Sequence, residues 1–357
     1  MNENNVFKKY DCFFASANGY DGFKSYFSNV FDRDKFDRIF ILKGGPGTGK
    51  SSLMKRLLFT IGDKASAEAI FCSSDSASLD GVIFESSKKK IAILDGTAPH
   101  TVDPLYPGAV DEIINLGDAW NRSLLKEKAE IIRKITNLKS TAYKEAYDYL
   151  KICGIICKTV QSDIGSLSEE SNLLAKSLVN KIEKKGTRSI RLISSLGKNG
   201  FGYLDTFEKS ANEIYKIVGI YGSEYLFINK LKLLAEKENL MHILAPSPLS
   251  PDLYDAIFFP EEKIAVICGN RAPDAKSTVI DTAKLLDQKN ISEKRNKLEF
   301  LWKEHETMLW SAADAFRRAS DAHFELEKIY VESMDFSYND TVFEKIRDEI
   351  LEIFSVT

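Results

Sequence analysis

Short apolar runs and long amphipathic stretches alternate along this chain, in an order that repeats. The first clear run is RIFILK, residues 38–43. It is β-branched and aromatic, which predicts a buried strand. After GGPGTGKS, residues 44–51, comes SSLMKRLLFTIG, where Leu53, Leu57, Leu58 and Ile61 recur at helical spacing until Gly62 stops the pattern. Residues 69–72 and 91–94 are further short apolar runs and predict two more strands. From residue 110 to about 184, and again from about 277 to 354, apolar positions recur every three or four residues. Within the first of these regions, residues 119–160 hold neither Pro nor any Gly before Gly154, which predicts long helix. Two polar stretches, residues 161–172 and 181–189, predict a linker zone.

The second half repeats the first. IYKIVGIYGSEYLF, residues 214–227, set beneath IFILKGGPGTGKSS, residues 39–52, places Gly219 and Gly222 under Gly44 and Gly47 without a gap. KIAILDG (90–96) matches KIAVICG (263–269), LDGVIF (79–84) matches LYDAIF (253–258), and NGYDGF near Asn18 has a weaker echo near Asn199. STAYKEAYDYLKI (140–152) loosely echoes residues 311–330. The offset is about 175 residues throughout, so the pattern predicts an internal duplication. The expected fold is α/β: a P-loop NTPase core with a mostly parallel sheet flanked by helices, duplicated, with long helical extensions. The expected division is 1–165 for a working domain with its helical extension, 166–198 for a linker, and 199–357 for a degenerate repeat.

The chemistry enters at residues 44–51, which satisfy G-x-x-x-x-G-K-[ST] in full. Gly44, Gly45, Pro46, Gly47, Thr48 and Gly49 form a loop whose backbone N–H groups can wrap a phosphate chain. Lys50 supplies a point positive charge for the β and γ phosphates, and the Ser51 hydroxyl is a hard oxygen for Mg²⁺. Ser52 continues the helix whose positive end faces the same phosphates. Asp95 ends the run at 91–94, where a parallel sheet binds its ligands, and is the expected second metal residue. Asp75, in the polar loop after residues 69–72, could order a water, activate a nucleophile or bind an acceptor, and ordinary Asx-turn chemistry is the competing reading. His100 and Asp103 lie in the loop after Asp95, within possible reach of a γ-phosphate, although a lone loop histidine is commonly a turn residue. In the gapless alignment Gly49, Lys50, Ser51 and Asp95 become Glu224, Tyr225, Leu226 and Cys268, so the second copy predicts a fold kept and a site lost. Arg271 stands near the second copy's counterpart of the loop after Asp95 and could act as an arginine finger if the halves face each other.

Composition narrows the setting. The chain has 357 residues, 44% hydrophobic, with Lys+Arg 49 against Asp+Glu 52 and a net charge of −3. That balance gives no global pull toward nucleic acid or anionic membrane. The basic clusters at Lys88–Lys90 and at Lys184 and Lys185, with Lys181 and Arg188 nearby, lack interleaved aromatics and read as solvated surface. Five scattered cysteines, Cys12, Cys72, Cys153, Cys157 and Cys268, predict reduced thiols inside a cell. Cys153 and Cys157 are read as buried small residues on one helix face, in preference to metal ligands. With no leader-like N-terminus and no membrane-length apolar stretch, the expectation is a soluble cytoplasmic protein.

No GTPase-type N-K-x-D falls at a strand end, and no ABC-type signature is present. Gly96 follows Asp95, where a fast ATPase would carry Glu. Taken together, FFASANGYDGF, ILKGGPGTGKSSLMKRL, AIFCSSDSASLDGVIF and ILDGTAPHTVDPLYPGAVDEIINLG resemble a poorly characterised ATP-binding protein family of Firmicutes, especially clostridia. The resemblance covers most of residues 12–120 and, more faintly, the second half. It implies tandem P-loop domains that use ATP and Mg²⁺, in which the second repeat often keeps its own P-loop. This chain departs there. The expected function is a slow or regulated Mg-dependent ATPase with one working site and a pseudo-site, its hydrolysis coupled to a conformational or assembly event, with an unknown protein or small-molecule partner. The alternatives are a kinase acting on a small molecule or nucleotide, and a non-catalytic ATP-dependent switch.

Overall fold

The apolar runs become strands buried on both faces, as strands with helices on either side require. In a computed structural model that describes residues 7–269 and 277–355, one six-stranded sheet is ordered β1 (Asp11–Phe14), β5 (Ser66–Phe71), β6 (Leu79–Ser86), β7 (Lys89–Asp95), β4 (Arg38–Lys43), β8 (Asp111–Asn115). The pairs β1–β5, β7–β4 and β4–β8 are parallel, and β6 alone runs against both neighbours. The second sheet is ordered β9 (Arg188–Ile190), β13 (His242–Pro246), β14 (Tyr254–Phe259), β15 (Ile264–Cys268), β12 (Glu213–Val218), β16 (Ser277–Asp281). Its β14 alone is antiparallel to both neighbours. The two sheets therefore agree strand for strand in order and direction. The protein is α/β and duplicated, with mixed, mostly parallel sheets flanked by helices.

Local chemistry explains the turns. Ser87 and Lys88, at φ 50° and 68°, make the tight mirror turn that joins β6 to β7. Lys89 and Lys90 beside it pair with Asp37 and Glu85, so the basic cluster is structural surface. Each copy also has one separate antiparallel hairpin, β2 (Ser16–Gly19) with β3 (Gly22–Ser25), and β10 (Ser194–Gly197) with β11 (Gly200–Tyr203). Gly22 and Gly200 both take positive φ, 96° and 78°, at the start of the second strand. That equates Gly22 with Gly200, and the expected echo of Asn18 at Asn199 is shifted accordingly.

Among the described residues six helices have eleven residues or more: α1 (Lys50–Ile61), α2 (Ala129–Ile164), α3 (Glu169–Val179), α4 (Ser223–Lys237), α5 (Gln288–Val331) and α6 (Ser337–Ser355). Leu53, Leu57, Leu58 and Ile61 of α1 are buried, as their spacing predicts, and Met54 is buried with them. In α2, Ala146, Leu150, Cys153, Cys157, Val160 and Ile164 form one buried stripe. Both thiols lie inside it, and burial pushes Cys153 up to about 12.

The chain divides into two compact units that do not follow the order of the copies. Among described residues the first unit takes 7–16, 25–145 and 315–355, and the second takes 17–24, 146–269 and 277–314. The β2–β3 hairpin of the first copy is thus assigned largely to the second unit, where Tyr20 N donates to Leu249 O at 2.8 Å. Likewise α6 follows the second copy but packs on α1 of the first unit, with Arg56 paired to Asp340 at 2.7 Å and lying over Phe343. The mirror arrangement holds in the second unit, where α3 packs on α4 and Lys230 donates to Ser171 Oγ at 2.5 Å. Each copy's trailing helix belongs to the other copy's unit, a division different from 1–165, 166–198 and 199–357. Among described residues no helix is long and apolar enough to cross a membrane.

Candidate functional site

The residues of the glycine-rich motif sit between β4 and α1 in the first unit, at the ends of the parallel strands. Gly44, Gly47 and Gly49 hold φ of 149°, 68° and 81°, which residues with a Cβ rarely adopt. A Cβ on Gly44 would come 2.8 Å from Thr48 Oγ1, so the loop curls closely over itself. Gly49 is the left-handed cap from which α1 starts at Lys50. Thr48 Oγ1 donates to Gly45 O at 3.0 Å and fixes the curl.

Lys50 Nζ donates to Gly44 O at 2.8 Å and Gly45 O at 2.9 Å, and lies 3.6 Å from Asp95 Oδ2. Asp95 ends β7, which pairs directly with β4 through Leu42. Its Oδ1 accepts from Thr97 N at 2.9 Å and Thr97 Oγ1 at 2.5 Å. Ser51 Oγ accepts from Leu79 N at 2.9 Å. Lys50, Ser51 and Asp95 are therefore gathered at one sheet edge. Ser51 and Asp95 supply a hydroxyl and a carboxylate, the hard-oxygen donors Mg²⁺ prefers. Among described residues no cluster of three His, Cys, Asp or Glu side chains could by itself hold a metal.

The flanking residues fall out differently. Asp75 makes an Asx turn, its Oδ1 accepting from Ala77 N at 3.1 Å. His100 is buried, with Nε2 3.2 Å from Asp80 Oδ2 and its ring stacked on Phe27 at 4.5 Å. Among these contacts it has none to Lys50 or Ser51. Asp103 pairs with Lys43 at 3.2 Å, and the same ammonium donates to Gly96 O and Val102 O. That lysine staples the loop after Asp95 to the end of β4. Arg271 lies outside the described residues.

The local motif gives no sign of what covers the loop. Gly45 lies against Trp120, where a Cβ would meet the ring at 3.2 Å. Gly47 lies against α5, where a Cβ would meet Glu327 O at 2.8 Å and Val331 Cγ2 at 3.0 Å. Asn339, buried in the first turn of α6, donates from Nδ2 to Thr48 O at 2.9 Å. A helical stripe in the sequence says that α5 and α6 bury a face, but not which loop they meet.

The second unit shows the same place remade. Leu42 pairs with Asp95 across β4–β7, and Ile217 with Cys268 across β12–β15, so Cys268 stands where Asp95 does. Gly96 N donates to Leu42 O at 2.9 Å and Gly269 N to Ile217 O at 2.7 Å, which repeats the registration. The loop itself departs from the gapless alignment. Gly222, at φ 79°, is the left-handed cap of α4, as Gly49 is of α1. Gly222 therefore answers Gly49, the loop is two residues shorter, and Lys50 and Ser51 are answered by Ser223 and Glu224 rather than Tyr225 and Leu226. The β6 and β14 match also moves by one residue: Gly81 pairs with Leu94 and Ala256 with Ile267, which equates Asp80 with Asp255.

Those replacements close the second loop. Ser223 Oγ lies 2.8 Å from Thr282 Oγ1, which donates to Val218 O at 2.9 Å. Burial pushes the Glu224 carboxyl up, and it pushes the Tyr225 hydroxyl and the Cys268 thiol well up. Asp255 is raised to about 6 by burial, against the hydroxyl hydrogen bond from Ser194. Comparison with protein-family models, with curated proteins and with solved structures gave no match.

Proposed function

We propose that the first copy binds Mg-ATP through residues 44–51 and hydrolyses it slowly, with Lys50, Ser51 and Asp95 as the working groups. The observation that carries this is the gathering of Lys50 within 3.6 Å of Asp95, beside a loop held in glycine-only backbone conformations. An arginine-free, hydroxyl- and carboxylate-flanked loop of this form suits a phosphate chain with a divalent cation. Lys50 would exchange its two carbonyl partners for phosphate oxygens. Ser51 Oγ and Asp95 would hold the cation, which neutralises charge on the β and γ oxygens. Residues 49–52 direct the positive end of α1 at the same place. The second copy, with Ser223 and Glu224 at the corresponding positions, serves as a partner fold without this chemistry. Slow turnover follows from Gly96 next to Asp95, since no side chain there can orient a water.

The test is phosphate release from Mg-ATP by the purified chain beside Lys50→Ala. Turnover by the unaltered chain, abolished by the substitution, is expected. Equal release by both proteins would end the proposal.

A further inference from the structure

We infer that Trp120 is a donor to the terminal phosphate: its indole N–H, seated against Gly45, lets the loop of residues 44–51 distinguish a triphosphate from a diphosphate. The inference rests on the nucleotide reading of that loop.

The indole is fixed in the first unit by a seat with a glycine at two of its edges. A Cβ on Gly45 would meet Trp120 Cζ2 at 3.2 Å and Cη2 at 3.5 Å, and one on Gly117 would meet Cζ3 at 2.8 Å and Cε3 at 3.0 Å. The six-membered ring thus fills the space that those two glycines leave. Tyr330 of α5 packs against it, with ring centroids 5.6 Å apart. The backbone is held on either side by the elbow after α5, where Asn121 N donates to Ser333 O at 2.7 Å and Asp335 N to Ala119 O at 3.1 Å. An indole held on these sides has its N–H direction fixed as well.

That N–H is spare. Trp120 Nε1 is buried and has no hydrogen-bond partner among the described residues. An indole nitrogen can only donate, and a buried donor left unmade is costly. Cζ2, the ring atom nearest Gly45, is two bonds from Nε1, so the donor stands at the loop side of the ring. Gly45 O also accepts from Lys50 Nζ at 2.9 Å. The lysine of such a loop meets the β and γ phosphates, so the Gly45 side is the terminal end of the phosphate chain. A neutral N–H counters charge there less strongly than a guanidinium would, in keeping with slow turnover.

The second copy is an internal control. Leu42 and Lys43 pair with Ile114 and Asn115 across β4–β8, as Ile217 and Val218 pair with Ile280 and Asp281 across β12–β16. Asn115 and Asp281 each cap a short 3-10 turn, which Trp120 and Leu286 end. Gly117 is therefore answered by Ala283, and Trp120 by Leu286, a residue of the second unit's apolar core. The copy that lacks the loop lysine also lacks the indole donor and one glycine of its seat.

Calorimetric binding of a non-hydrolysable ATP analogue and of ADP, each with Mg²⁺, to the full chain tests this in four proteins: unaltered, Trp120→Phe, Trp310→Phe and Lys50→Ala. Trp120→Phe keeps an aromatic ring in the seat and removes the N–H. Trp310, 75% exposed, is the control. Trp120→Phe is expected to bind the triphosphate about tenfold more weakly, the loss of one hydrogen bond to a charged group, and ADP within about twofold of the unaltered chain. Trp310→Phe should match the unaltered chain for both. In the unaltered chain the triphosphate should also move the Trp120 indole N–H resonance, and ADP should not. Assigning that signal from Trp302→Phe and Trp310→Phe keeps the readout where Trp120→Phe fails to fold. Unchanged triphosphate affinity in folded Trp120→Phe, an equal loss for both nucleotides, or an indole signal that ignores the triphosphate would overturn the donor. Binding abolished by Lys50→Ala would then leave the nucleotide reading standing. No binding by the unaltered chain would reject the nucleotide reading and the donor with it.

Discussion

The two copies keep one sheet and differ in what happens where the strands stop. In both, an apolar central strand, β4 or β12, feeds a left-handed glycine that starts a helix. In the first copy six loop residues lie between strand and helix, and a lysine opens the helix. In the second, four do, and the serine that opens the helix turns back to Thr282. Strand packing tolerates any sequence that stays apolar, so duplication preserves it easily. On the proposed reading of the first loop, a phosphate nest needs a certain number of residues as well as certain side chains, so a loop two residues shorter departs further from it than a changed lysine would.

The largest expected contrast is between Lys50→Ala and Ser223→Lys. The first should weaken Mg-ATP binding by at least about 100-fold, the loss of a buried charge-assisted contact. The second should leave the stoichiometry at one nucleotide per chain by calorimetry, because the shortened loop has no nest for the new ammonium to serve. Two sites in Ser223→Lys would mean the comparison rests on side chains alone.

Next comes the equivalent acid on β6 and β14. Asp80 has His100 as its partner, whereas Asp255 is surrounded by hydroxyls and raised to about 6. A carboxyl whose folded value lies above its unfolded one binds more protons when folded, so stability falls as pH rises from about 4 to about 6. Asp255→Asn should remove that fall and gain up to about 3 kcal/mol at pH 7. Chemical denaturation of both proteins at pH 4, 5, 6 and 7 measures the difference, and parallel curves would contradict it.

A smaller contrast separates the two helix-cap glycines. Both Gly49→Ala and Gly222→Ala carry the left-handed cost of about 1–2 kcal/mol. The new Cβ has room at Gly222, where the nearest atom is 3.5 Å away, and meets Asn339 Nδ2 at 2.5 Å at Gly49. Gly49→Ala should therefore be the more destabilising by about 1 kcal/mol in denaturant midpoints. Adding Asn339→Ala should recover most of that excess, and strictly additive effects would show that Asn339 does not clasp the loop.

Much of this was legible from residue patterns. The strands around Ile39 and Ile91, the helix after Lys50, the duplication and the convergence of Lys50, Ser51 and Asp95 all follow from short-range periodicity and one motif. The loop alignment did not, because matching glycines at Gly44 and Gly47 looked better without a gap, whereas backbone handedness at Gly49 and Gly222 decides the match. His100 reads from the sequence as a loop residue within possible reach of a γ-phosphate; its partner Asp80 and the Phe27 ring are set by tertiary packing, which nothing near it in the chain marks. Asn339 was invisible as a site residue, since nothing near it in the chain marks a loop 291 positions earlier. The exchange of trailing helices between copies hides in the same way, because an amphipathic face does not name what it covers.

That exchange sets the order in which the molecule can be completed. Asn339 reaches a carbonyl 291 positions behind it. A ribosome releasing this chain at about 5–20 residues each second has already released residues 44–51 well before α6 exists. During that interval the first copy has its strands and its glycine-rich loop but lacks the helix that packs on α1, so Arg56 has neither its Asp340 partner nor the Phe343 ring. The portion synthesised earliest must wait, partly wet, for the portion synthesised latest.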